Sequence, residues 1–159
     1  MKRLFFLLLF IFVSVFVFAQ SFISNHISYL GKPVPNGFSR ISETRYTNND
    51  IILNVENGIV ISSVLSEEYN NNNEADFYYV GYCNFFANNN WILFQRDLHC
   101  DVYKYSNIYV VCSKPQLGID GVFVIMLSFY LEEYYDTLLH QRPLSRSAQA
   151  KAFALPNKK

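Results

Sequence analysis

Asp50 to Ser66 reads "DIILNVENGIVISSVLS", two β-branched runs meeting at Asn57-Gly58. Asn-Gly supplies the two positive-φ residues of a type I′ turn, so the stretch predicts a tight hairpin. In that register Glu56 faces Ile59, Val55 faces Val60 and Leu53 faces Ser62. Upstream, "FSRISETRY" (38–46) alternates as one strand, with Phe38, Arg40, Ser42 and Thr44 on one side. Before it, Phe22, Ile23, Ile27 and Leu30 share a helical stripe, and Gly31 followed by Pro33 ends that helix.

Past the hairpin comes "EEYNNNNEAD" (67–76), a loop whose Asn73 is a suitable N-cap, with Glu74 and Asp76 near the positive end of the helix dipole. A helix is expected from Glu74 to Asn88. Its apolar face holds Ala75, Tyr78 or Tyr79, Tyr82, Cys83 and Phe86, and packs on a sheet. The period then shortens to two. Strands are expected over 91–97, 99–105, 108–114 and 121–129, and a closing helix over 131–140. The last strand is the most apolar and belongs at the centre of the sheet.

The element order is α-β-β-β-α-β-β-β-β-α, and its short connections imply antiparallel pairing. This is an α+β chain of two layers, with helices packed on one face of a curled antiparallel sheet. The element order resembles that of small exported α+β modules of the β-lactamase-inhibitor-like or PepSY type. The resemblance implies a fold and names no site.

The N-terminus changes which residues belong to that fold. Lys2 and Arg3 precede an apolar run from Leu4 to Phe18, and Val17 and Ala19 place small residues before Gln20. This is a cleavable export signal over 1–19, cut between Ala19 and Gln20. The run is shorter than the roughly 20 residues needed to span a bilayer. The short basic start and phenylalanine-rich core suit bacterial export, to the periplasm or the exterior. What remains holds 12 Tyr, 9 Phe and 1 Trp, enough apolar area for one folded domain over 20–140.

Charge then separates the domain from the tail. Residues 20–140 carry 6 basic and 13 acidic side chains, whereas 141–159 carry Arg142, Arg146, Lys151, Lys158 and Lys159 and no acid. An acidic body lacks the basic face that nucleic-acid binding needs. The tail reads as a solvated terminus, and it is also the one segment suited to anionic lipid.

Chemistry concentrates in "HCDVYKYSNIYVVC" (99–112), where two registers are open. A two-residue loop at Ser106-Asn107 pairs Tyr105 with Ile108 and sends Cys100 and Cys112 to opposite faces. A three-residue loop sets Cys100 across from Cys112, and gathers Tyr103, Tyr105 and Tyr109 on one outward face with Asp101 at its end. Serine suits positive φ poorly and Asn107 suits it well, which favours the longer loop. Cys100–Cys112 is then a disulfide candidate, with Cys83 as a competing partner and three unbonded thiols as the plain alternative.

His99 and Cys100 are neighbours on a strand, so they point apart and form no thiolate–imidazolium pair. His99, Cys100 and Cys112 are too few and too divided for zinc, and no pattern calls for a cofactor. The expectation is therefore a small exported non-enzymatic protein that binds a protein or envelope component through its sheet, by Tyr103, Tyr105, Tyr109 and Asp101. Two alternatives stand beside it. One is an exported hydrolase-like enzyme with a site assembled by the fold. The other is a membrane-peripheral protein docking through its basic tail.

Overall fold

The computed structural model describes residues 23–140, except Asp50 and Ile119 and the side chains of 138–140. The expected signal segment and cleavage site, and the basic tail, lie outside the described residues.

Residues 23–29 form helix α1. A four-strand meander follows: β1 (Ser39–Ser42), β2 (Arg45–Asn48), β3 (Ile51–Glu56) and β4 (Ile59–Tyr69). Then come α2 (Asn72–Asn88), β5 (Ile92–Arg96), β6 (Cys100–Tyr105), β7 (Ile108–Ser113), the two-residue β8 (Gln116–Leu117), β9 (Phe123–Leu131) and α3 (Glu132–His140). The strands form one antiparallel sheet in the order β1-β2-β3-β4-β9-β7-β6-β5, with β8 pairing on β9. The apolar last strand is central, as its composition predicts, and it joins the meander to the second group of strands.

The Asn57-Gly58 hairpin forms with Glu56 opposite Ile59 and Val55 opposite Val60. Asn57 and Gly58 take φ of 51° and 80°, the left-handed values that a type I′ turn requires. Beyond Val55 a bulge shifts the ladder by one residue. Leu53 therefore pairs with Ser63, and Asn54 takes the expected place opposite Ser62. The stretch read as one strand over 38–46 is two, because Glu43-Thr44 turn the chain and Ser42 pairs with Arg45. The helix also begins earlier than expected. Asn71, not Asn73, is the N-cap, its side chain accepting from Glu74 N at 2.9 Å.

Strand alternation assigns each helix to a face. Val110 and Cys112 of β7 lie in one core with Ile23 and Leu30 of the N-terminal segment, Phe85 and Phe86 of α2, Leu53, Val60, Leu127 and Phe129. Tyr109, one residue from Val110, lies in a separate cluster with Val102 and Tyr135 of α3. Neighbouring residues on a strand point to opposite faces. The expectation of helices on one face is thus corrected: α1 and α2 share a face, and α3 covers part of the other. The stacked rings of Tyr109 and Tyr135, with centroids 4.2 Å apart, hold α3 there.

Candidate functional site: thiols and carboxylates beneath the second helix

The β6–β7 loop takes the two-residue form. Tyr105 pairs with Ile108, Cys100 with Ser113, and Asp101 with Cys112. Ser106 accepts the positive φ, 54°, that argued against this register. The register gives Tyr103, Val110 and Cys112 to the α2 core, and that burial outweighs the local preference. The longer loop and its Cys100–Cys112 pairing are corrected accordingly: the two thiols sit on opposite faces, and none of the three cysteines is in a disulfide.

The tyrosines expected as one strip are divided by the same register. Tyr103 is buried under α2, against Phe86 at a centroid distance of 5.2 Å. Tyr109 is buried on the other face under α3, and only Tyr105 is exposed, beside Trp91. Asp101, expected at the strip's outer end, is 1 % exposed.

Asp101 is instead the buried centre of a polar cluster that reaches the surface at Arg96. Arg96, its ladder partner on β5, grips it with Nε at 3.0 and 3.1 Å from the two oxygens and Nη2 at 2.7 Å from Oδ2. This two-pronged grip is the strong geometry for a guanidinium and a carboxylate. On the helix side the Cys83 thiol points at Oδ2 from 3.8 Å. Burial pushes the Asp101 carboxyl up, but the donors and the Arg96 and Lys114 charges together hold it below the ordinary carboxylate range.

Cys83 and Cys112 meet beside this carboxylate. Cys112 opposes Asp101 on the ladder, and Cys83 reaches the same core from α2. Both thiols thus lie on the α2 side of the sheet beside Asp101, Cys112 within the core and Cys83 packed against it. The neighbouring Cys112 thiol leads the influences that draw Cys83 down to about 6; burial and the Asp101 charge oppose it, and the Tyr103 and Tyr79 hydroxyls add to it. Cys112 is pushed well above the ordinary thiol range by the neighbouring Cys83 and by burial.

A second carboxylate sits along the seam. Glu67 of β4 accepts from Tyr82 of α2 at 2.6 Å, and also from Tyr69. Burial, then Glu67, pushes both phenols above their ordinary range. The Tyr82 hydroxyl anchors α2 to β4. At the β5–β6 corner, Asp97 Oδ1 accepts from the His99 and Cys100 amides at 2.7 and 2.8 Å, which turns the chain. His99 is exposed and belongs to that corner.

The sequence reading missed Arg96, Glu67, Tyr69 and Tyr79 as partners. A readable signal existed for Arg96, a cation five residues before a carboxylate across a tight turn. None existed for Glu67, whose partner on α2 is fifteen residues away.

Among the described residues no group of three or more His, Cys, Asp or Glu is arranged to hold a metal, and no helix is long and apolar enough to cross a membrane. Comparison with protein-family models, curated proteins and solved structures finds no match to this chain. The class defined by the coordinates is an α+β protein built on a single antiparallel sheet.

Proposed function

We propose that this is a small exported, non-enzymatic protein that binds an extended segment of a partner protein along its β5 edge. One observation carries the reading: β5 ends the sheet, and all five of its residues are exposed. Ile92 and Phe94 are 71 % and 51 % exposed, and Leu98 just beyond the strand is 85 % exposed. An edge strand that displays apolar side chains is a template for an added strand, with main-chain hydrogen bonds giving affinity and alternate side chains giving choice. Arg96 stands at one end of β5, and Lys104 of β6 pairs with Ile92 at the other. Both are already paired, Arg96 with Asp101 and Lys104 with Glu132, so the exposed apolar side chains between them set the choice: an extended, apolar partner segment.

A hydrolase-like reading is the weaker one. The carboxylate nearest Cys83 is committed to Arg96, and the other groups around that thiol are phenols and a second thiol. The membrane-peripheral reading rests on 141–159, outside the described residues.

The test is capture from envelope extract by protein expressed from the full chain, repeated with Ile92→Glu, Leu98→Glu and Leu117→Glu. Leu117 is equally exposed but lies on β8. The expected result is a partner held by wild type and Leu117→Glu and lost at least tenfold with either of the other two. Equal capture by all four proteins would overturn the β5 assignment. Sequencing of the exported protein should begin at Gln20; retention of 1–19 in the membrane would overturn the cleavage.

A further inference from the structure

We propose that Cys83 and Cys112 form an oxidisable dithiol that closes into a disulfide between α2 and β7, with Cys83 as the attacking thiol and Cys112 as the resolving one. The proposal does not depend on the binding role of β5.

The geometry brings the pair together from two directions. Asp101 and Cys112 are directly opposed on β6 and β7, and Cys83 Sγ approaches Asp101 from the helix side. Both thiols belong to the core between α2 and the sheet, Cys112 within it and Cys83 packed against it, and both lie beside the same Asp101 carboxylate. Asp101, Arg96 and the phenols of Tyr79, Tyr82 and Tyr103 are the charged and titratable groups around the pair.

Accessibility assigns the roles. Cys112 is fully buried in the core, while Cys83 at its margin is only partly covered. Cys100 is excluded from the pair by the sheet itself, since it packs on the α3 side. Thiolate character and access decide which cysteine reacts, and both favour Cys83.

The step is a thiol–disulfide exchange with a small disulfide oxidant such as oxidised glutathione. The Cys83 thiolate attacks one glutathione sulfur, forming a mixed disulfide and expelling a glutathione thiolate. Cys112 then attacks the Cys83 sulfur and passes its proton to the second departing glutathione thiolate. The protein loses two electrons and two protons, and one oxidised glutathione becomes two reduced molecules. The product ties the middle of α2 to the sheet, which an exported protein would meet in an oxidising compartment.

Protein expressed from the full chain is reduced, then equilibrated with oxidised glutathione, and its thiols are counted and its peptides mapped by mass spectrometry. The expected result is loss of two of three thiols, a peptide pair joined through Cys83 and Cys112, and Cys100 still free. Cys112→Ala should stop at a stable glutathione adduct on Cys83, and Cys83→Ser should take up at least tenfold less glutathione. A lasting adduct on Cys83 in the wild type, any bond through Cys100, or three unreacted thiols would overturn the proposal. The wild-type map decides the matter even where a variant fails to fold.

Discussion

His26 shows how one buried side chain can set the acid tolerance of the fold. It projects from α1 into the core, shares a 2.7 Å hydrogen bond between Nδ1 and Ser63 Oγ, and stacks on Phe129. Burial lowers its pKa from 6.5 to about 4. The unfolded imidazole keeps its ordinary value, so between those limits the unfolded chain binds a proton that the folded one refuses. Stability is therefore complete above pH 6.5 and falls as the pH drops toward 4. At ~1.4 kcal/mol per unit, the loss between pH 7 and pH 5 is about 2 kcal/mol. Urea titrations of wild type and His26→Gln at the two values provide the check. The wild type should lose about 2 kcal/mol and the variant little, because glutamine can hold Ser63 without titrating; equal losses would place the effect elsewhere. From sequence, His26 was a histidine on an expected helix with no ligand beside it. Ser63 and Phe129 come from β4 and β9, and no local pattern announces a partner so distant.

Elements governed by local chemistry were legible, and those governed by cross-strand burial were less so. Asn57-Gly58 defined its hairpin because both residues accept the turn's left-handed backbone. The bulge beyond it carries no residue signature, so the predicted Leu53–Ser62 pair slipped by one. Four consecutive asparagines offered several caps, and only the observed bond to Glu74 selects Asn71. The β6–β7 loop is the instructive case. Local preference favoured Asn107 at the left-handed position, yet Ser106 holds it, because slipping the register would exchange every side chain on both faces. That leaves a small strain at Ser106 with an expected remedy. Asparagine tolerates left-handed backbone better than serine, so Ser106→Asn should raise stability by roughly 0.5 kcal/mol without altering the ladder. Thermal unfolding provides the comparison, and a loss of stability would argue against the positive φ at this residue.

At the scale of the molecule, the chain divides in sequence but not in space. Helix α1 and the meander precede α2, and the remaining strands follow it, which suggests two successive helix-then-strands units. Strand β9 removes their independence. It pairs with β4 from Ser62–Tyr130 to Tyr69–Phe123, and on its other edge with β7 from Ile108–Leu131 to Cys112–Leu127. The core on the α1–α2 face is equally shared, with Leu53 and Val60 from the first unit packed with Phe86, Trp91 and Val110 from the second. Neither unit can bury its apolar face alone, so unfolding should be one cooperative event. Trp91 is the only tryptophan, and its fluorescence reports the second unit, whereas far-UV circular dichroism reports both. The denaturant transitions seen by the two probes should coincide. Leu53→Ala sharpens the test, because this fully buried leucine belongs wholly to the first unit. Its removal should cost about 2–5 kcal/mol and move the Trp91 transition as far as the dichroism transition. If Trp91 held its wild-type midpoint while dichroism shifted, the units would be energetically separate despite the ladder that β9 builds between them.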